Sequence, residues 1–460
     1  MEIFVSNIYS VLKTPDRALL KALEKKYKAR APGFDYTPAY KRGYWDGYKK
    51  FFNGKNGKFG TGLLSVILED LDYLGIKYTI RDSRTKVSYG SYDLPGIELR
   101  PYQKYLVEKT LESKSCIIKA PTGSGKTIII AALVKALKGY TGLIFFNKKQ
   151  LLYQTHKFFT EHGIECGVAF GEGVDIKPIT LCTIQSIDKV IDSHLTHSEF
   201  IVFDEIHEFA RGKLASKILK SFPKACVRVG LSATPPTDKF SKLSVCSFLG
   251  REIEYVTAEE LVKEGYLTPP SIEIIELPDE DPEVYDKLSY TDVYDSYIIN
   301  NGRRNRFITE ICEKISGDNS KILILTKNLE HAQLLNSLLP GSYKLEGKDK
   351  LLDREDVINK FVSEKGPSVI IGTIIFQTGI DIPELTHLIN ARGLKSEIAT
   401  IQALGRTLRK HDNKNKVYIY DFIDKVPYLD KHSKSRIEAY KSLNFDVTIH
   451  ENKKGTRKEN

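Results

Sequence analysis

From Cys116 onward, short apolar runs alternate with longer stretches in which apolar residues recur every three or four positions. Cys116–Lys119, Gly142–Phe146, Thr180–Thr183, Phe200–Phe203 and Arg228–Leu231 read as buried strands, with helices such as Thr127–Leu137 and Gln150–His162 between them. A second series repeats the alternation: Ile322–Thr326, Ser342–Leu345, Ser368–Gly372, Thr386–Asn390 and Val417–Asp421. Apolar strands separated by helices build parallel sheets covered on both faces. The fold class is therefore α/β, in two tandem domains. Gly265–Asn301, with Pro269, Pro270, Pro278, Pro282 and the acidic run DEDPE, reads as their junction.

The first hundred residues follow another pattern. A basic helix (Asp16–Arg30), the Gly- and aromatic-rich YKRGYWDGYKKFFNGKNGKFGTGLL and a second helix (Leu63–Leu74) suggest a small α+β domain built on a hairpin. The expected division is 1–94 for this domain, 95–265 and 266–432 for the α/β domains, and 433–460 for a basic tail. The terminal HENKKGTRKEN is expected to be disordered. Deleting residues 1–90 is expected to leave the two α/β domains folded.

Composition narrows the class without naming it. The chain of 460 residues is 41% hydrophobic and 28% charged, which is globular. No apolar run approaches twenty residues, and the N-terminus lacks the order of a signal peptide. Six scattered cysteines with no C-x-x-C pair argue against a zinc site or a disulfide framework. A cytoplasmic protein with no membrane association is expected.

The net charge of +10 is unevenly placed. Residues 1–98 hold 17 Lys/Arg against 11 Asp/Glu, and residues 409–460 hold 13 against 8, so the excess lies at the two ends. That suits contact with a polyanion, although a solvated lysine-rich surface has the same signature. In the N-terminal domain Lys41, Arg42, Lys49 and Lys50 interleave with Tyr44, Trp45, Tyr48, Phe51 and Phe52. Aromatics of this kind stack on bases while lysines neutralise phosphates. For Trp45 a place in the domain's core is favoured.

Ala120-Pro121-Thr122-Gly123-Ser124-Gly125-Lys126-Thr127 follows a strand and opens a helix. Its glycines let backbone N–H groups wrap a phosphate chain, Lys126 reaches the β/γ-phosphates, and the Thr127 hydroxyl suits Mg²⁺. Ala120 departs from the glycine usual at the first position. Phe200–Phe203 runs into Asp204-Glu205-Ile206-His207, which sets two acids at the C-terminal edge of a buried strand. Asp204 suits Mg²⁺, and Glu205 suits orienting or deprotonating an attacking water. In Gln402-Ala403-Leu404-Gly405-Arg406-Thr407-Leu408-Arg409, Arg406 and Arg409 share one face of an expected helix and suit arginine fingers on a γ-phosphate.

The ordered set RPYQ (100–103), APTGSGKT (120–127), TIQS (183–186), DEIH (204–207), SAT (232–234), GTIIFQTGIDIP (372–383) and QALGRTLR (402–409) resembles a superfamily 2 DExH helicase. The resemblance implies two RecA-like domains that use ATP and Mg²⁺ and act on nucleic acid. It further implies nucleotide contacts at Arg100, Gln103, Gly379 and Asp381, and coupling roles for His207, Ser232, Thr234 and Gln402. Nucleic-acid contacts are implied at Thr183 and Thr373. EELVKEGYLTPP (259–270), YWDGYKKFF (44–52) and FGTGLL (59–64) are similar to segments of the phage UvsW-type branch-migration helicases, the first also to XPB-like helicases. That likeness implies a monomeric DNA helicase remodelling forks, Holliday junctions and R-loops in phage recombination, repair or replication, in the host cytoplasm. Three alternatives share the motor: an RNA helicase, an ATP-switched DNA-recognition subunit, and the motor of a restriction system.

Overall fold

The computed structural model describes the chain except residues 172, 193, 210–216, 219–220, 278–281, 316–319, 347–350, 374–381, 413 and 451–460. Its contacts divide the chain into two compact units, Met1–Pro121 with Gly125–Val256 and Thr122–Ser124 with Thr257–Asn460.

The first unit opens with a four-stranded sheet in the order Lys58–Gly60, Tyr9–Lys13, Glu2–Val5, Thr79–Asp82. Ile3, Val5 and Leu12 face inward by strand alternation, onto Leu19, Leu20 and Leu23 of the helix Arg17–Lys26. Asp16 caps that helix by accepting from the Leu19 N–H at 2.9 Å. The helix stops four residues short of the expected Arg30. Tyr27 is buried, and Lys28–Arg30 pairs instead as a strand with Tyr48–Lys50.

This small domain does not close its own core. Phe240, Leu243 and Cys246 of the helix Lys239–Leu249 pack into it, with Phe51 edge-on to Phe240 at 6.0 Å between ring centres. Gly60 and Gly62 make the approach possible: a Cβ on either would lie 2.2 Å from the carbonyl oxygen of Ser247 or Cys246 respectively. Residues 1–90 are thus one side of a shared core, which bears directly on the expected deletion.

The rest of the first unit is an eight-stranded sheet, in the order Gly173–Asp175, Gly167–Phe170, Ile179–Thr183, Gly142–Phe146, Phe200–Asp204, Val227–Ser232, Ser115–Lys119, Glu252–Glu254. Only its first pair is antiparallel. The central strands are buried along their apolar runs, with only Asp204 at the end of Phe200–Asp204 half-buried.

The second unit is a seven-stranded sheet in the order Tyr343–Leu345, Ser368–Gly372, Lys321–Leu325, His387–Asn390, Val417–Ile423, Pro270–Glu276, Val447–His450, parallel throughout. Two expectations change here. The stretch read as a junction contains the strand Pro270–Glu276. Its proline stands at the first position, where a missing N–H is tolerated, and Ile272 and Ile274 are buried. The stretch read as a basic tail contains the helix Leu429–Lys441 and the strand Val447–His450. Arg436 of that helix is fully buried and holds Asp421 at 3.0 Å, so its charge is internal rather than presented to a polyanion. Residues 451–460, most of the stretch expected to be disordered, lie outside the described residues.

Candidate active site

Three of the sequence motifs arrive at the C-terminal ends of three adjacent parallel strands: Phe200–Asp204, Val227–Ser232 and Ser115–Lys119. Ligands of parallel sheets bind at that edge. The chain leaves Lys119, with the Ala120 N–H donating to the Ser232 carbonyl at 3.0 Å, and turns through Pro121–Gly125 into the helix Lys126–Ala136. Gly123 and Gly125 have φ of +85° and +77°, left-handed values that suit glycine. A Cβ on Gly125 would also meet the Gln103 Nε2 at 2.6 Å. Thr122 and Ser124 lie in this loop, and Thr127 stands in the first turn of the helix. The loop therefore brings backbone N–H groups to a helix N-terminus.

Arg100 and Gln103 sit at the head of the helix Pro101–Ser113. The Gln103 Oε1 accepts from the Arg100 N–H at 3.0 Å, and the Arg100 guanidinium donates to the Tyr102 hydroxyl at 3.0 Å. Gln103 is buried against the loop and braces it.

The Lys126 ammonium lies 3.4 Å from the Glu205 carboxylate. Beside it Asp204 is half-buried, but its Oδ1 is shut off from solvent and has no hydrogen-bond partner. Burial first, and the Glu205 charge second, push the Asp204 carboxyl well above the usual carboxylate range, against the pull of Lys126. Glu205 has φ +55°, rare for a residue with a side chain, which turns its carboxylate back over the sheet edge. His207 Nδ1 lies 2.9 Å from Ser232 Oγ and 3.4 Å from Glu205 Oε2. Ser232 Oγ in turn accepts from the Thr234 N–H at 3.0 Å. DEIH and SAT are thus physically tied. Among the described residues no cluster of three His, Cys, Asp or Glu side chains stands ready to hold a metal.

In the second unit, Gln402 and Arg406 lie on the helix Glu397–Thr407. Arg409 does not, which corrects the expectation of one helical face. Leu408 ends the helix, its carbonyl accepts from the Thr268 N–H at 2.8 Å, and Arg409 pairs with Leu267 in a short antiparallel bridge. Thr373 is buried just after the strand Ser368–Gly372, and Gly379 and Asp381 lie outside the described residues.

The N-terminal candidates separate. Lys41 and Arg42 are exposed, and Tyr44 is 84% exposed. Lys50 reaches solvent but is paired with Glu24 at 2.9 Å. Lys49 lies over the rings of Phe51 and Phe240, 5.0 and 5.6 Å from their centres, where burial lowers its pKa; it belongs to the seam with the helix Lys239–Leu249. Trp45 is half-buried and donates to the Tyr48 carbonyl at 2.9 Å, and Phe51 and Phe52 are core. Thr183 is buried, its hydroxyl 3.0 Å from that of Ser186. Sequence reasoning missed Tyr36, 77% exposed, and Arg30, whose guanidinium lies over Phe34 at 4.8 Å. It also missed Asn147, which directly follows the strand Gly142–Phe146 at the same sheet edge with a buried, unpartnered Oδ1.

Residues 96–237 match the family described as "Type III restriction enzyme, res subunit", and residues 304–411 match "Helicase conserved C-terminal domain". The chain thus carries the paired domains of a helicase. It is 26% identical to the ATP-dependent DNA helicase UvsW of Enterobacteria phage T4, an alignment covering 92% of this chain and 93% of that protein. It is likewise 26% identical to the DNA 3′-5′ translocase XPB2 of Sulfurisphaera tokodaii, over 69% of this chain and 80% of the other. Among solved structures, the ATP-dependent Type ISP restriction-modification enzyme LlaBIII bound to DNA superposes with a TM-score of 0.57 at 17% identity. That likeness covers 75% of this chain and 30% of LlaBIII, and shows the tandem RecA-like fold alone. No described helix is long and apolar enough to cross a membrane.

Proposed function

We propose that this helicase couples ATP hydrolysis to translocation on DNA and to the remodelling of branched DNA. The observation that carries the reading is the meeting of loop, DEIH and SAT at one sheet edge, with Lys126 3.4 Å from Glu205 and His207 bonded to Ser232.

The glycine loop accepts the phosphate chain, and Lys126 meets its β/γ charge. Glu205 orients and deprotonates the attacking water. Arg406 and Arg409 act on charge that develops at the γ-phosphate during transfer. The buried, partnerless Oδ1 of Asp204 and the Thr127 hydroxyl fit a hard divalent cation. Mg²⁺ held there would neutralise phosphate charge. The His207–Ser232–Thr234 chain carries the state of the site into the segment before the helix Lys239–Leu249. That helix also carries the N-terminal domain, so a change at the sheet edge reaches the surface bearing Lys41, Arg42 and Tyr44. Tyr44 suits stacking on bases, and the exposed cations suit phosphates.

ATPase and strand separation measured side by side on forked DNA, four-way junctions, linear duplex and RNA duplex test the reading. Branched DNA is expected to stimulate both most strongly. Stimulation by RNA alone would transfer the motor to the RNA class, and turnover without strand separation would leave an ATP-driven switch.

A further inference from the structure

The turn that follows the arginine helix holds a lysine in an unusual place. Lys414 is 5% exposed, in a turn where its own N–H donates to the His411 carbonyl at 3.0 Å. Its ammonium donates to three backbone carbonyls: Pro383 at 2.5 Å, Leu385 at 3.1 Å and Thr407 at 2.9 Å. An ammonium carries three hydrogens to donate, and three backbone oxygens stand within reach of this one.

The three carbonyls come from two pieces of chain that matter to the reaction. Thr407 is the last residue of the helix bearing Arg406, where terminal carbonyls lack helical partners and the helix dipole favours a cation. Pro383 ends the GTIIFQTGIDIP motif, and Leu385 stands two residues beyond it. A second tie joins the same segments, since His411 Nε2 lies 3.8 Å from Glu384 Oε1. Between them is a small cavity whose wall includes Ile382 and Leu385 on one side and Ala403, Arg406 and Thr407 on the other. Arg406 therefore lines a gap whose two walls are bonded to one buried ammonium.

We propose that Lys414 is a positioning residue for Arg406, fixing the C-terminal turn of the arginine helix against the end of the GTIIFQTGIDIP motif so that the guanidinium is presented at one height. This rests on the reading of Arg406 as the group that acts on the γ-phosphate. Lys414 touches neither nucleotide nor nucleic acid in this scheme; it acts through where Arg406 stands.

The test is a double-mutant cycle on the full chain. Lys414→Met keeps the stem and removes the charge, and Lys414→Gln keeps two donors as the milder change. DNA-stimulated turnover, ATP affinity and thermal stability are measured for each, alone and combined with Arg406→Ala. A misplaced catalytic group costs up to about 100-fold. Lys414→Met is therefore expected to lower stimulated turnover by about 10- to 100-fold with ATP affinity within about twofold of wild type, and Lys414→Gln to lose less. In the Arg406→Ala background neither change should lower turnover further. A residue that merely stabilises the domain would instead lower turnover by the same factor in both backgrounds. That result overturns the proposal, as does wild-type turnover in Lys414→Gln should Lys414→Met fail to fold. If Arg406→Ala itself keeps full turnover, the reading of Arg406 fails and the proposal falls with it. If Arg406→Ala loses turnover while both Lys414 variants keep it, the proposal alone falls.

Discussion

Adding one methyl group at Gly62 should loosen the seam between the N-terminal domain and the helix Lys239–Leu249. The Cβ of Gly62→Ala would stand 2.2 Å from the Cys246 carbonyl oxygen and 2.6 Å from the Gly250 nitrogen, both backbone atoms at the end of that helix. Carbon and oxygen ordinarily approach to about 3.3 Å, so the two segments must part by about 1 Å. Overpacking of this kind costs about 1–3 kcal/mol, and immovable backbone on both sides puts Gly62→Ala near the upper figure. In a unit of this size each kcal/mol lowers the melting temperature by about 2–4 °C, so a loss of about 6–12 °C is expected for the first unit. Scanning calorimetry of the full chain measures it. Gly302→Ala serves as the control: it opens the helix Gly302–Lys314, has nothing within 4 Å of its would-be Cβ, and should be neutral or stabilise by up to about 1 kcal/mol. A Gly62→Ala chain that melts with the wild type would show that the domain does not lean on the helix as described. The same geometry replaces the expectation for residues 1–90, because their deletion would uncover Phe240, Leu243 and Cys246 and leave a less stable, aggregation-prone motor.

Three further outcomes are expected. Lys126→Ala should abolish ATP turnover, whereas Glu205→Gln should keep ATP binding and slow hydrolysis by orders of magnitude, as read by single-turnover assay beside equilibrium nucleotide binding. Tyr44→Ala should weaken binding to unpaired DNA by about 1–3 kcal/mol without moving the melting temperature, whereas Lys49→Ala should destabilise the fold, because that ammonium lies over Phe51 and Phe240. Burial holds the pKa of His387 down at about 4, and burial together with Arg304 holds that of His331 down at about 3. Between those values and about 6.5 the unfolded chain binds protons that the folded chain refuses, so stability rises with pH and is lost on acidification. Each histidine removes about 1.4 kcal/mol per pH unit below 6.5, or about 2 kcal/mol at pH 5. Denaturant titrations at pH 7 and pH 5 should show that loss reduced in His387→Phe, and equal losses in both proteins would refute the assignment.

The sequence was most legible where a strand is buried on both faces. Gly142–Phe146 and Ser368–Gly372 agree with their expected bounds end for end, because a short run with four or all of its five positions buried suits a parallel strand covered on both faces. It was least legible where an element depends on a distant partner. Val447–His450 is mostly exposed, so its β-branched residues mark no buried face that would tell a strand from a tail; it forms because Pro270–Glu276 offers it an edge. Lys49 looks like its neighbour Lys50 in sequence, yet one lies over Phe240 from another domain and the other pairs with Glu24. Arg406 and Arg409 have helical spacing, but a bridge to Leu267 ends the helix between them. The motifs themselves were legible because phosphate-binding chemistry fixes residue types at short spacing, where local backbone alone decides geometry.

The backbone at Glu205 sets two demands on one residue against each other. At φ +55° a side chain costs roughly 1–2 kcal/mol that glycine or asparagine would largely recover. A library screened only for thermal stability should therefore enrich those two residues at position 205 and discard turnover in doing so. A screen for growth dependent on the motor should keep glutamate and accept the strain. At this position a steadier protein and a working one are different molecules, and consensus-style stabilisation of the chain has to leave residue 205 alone.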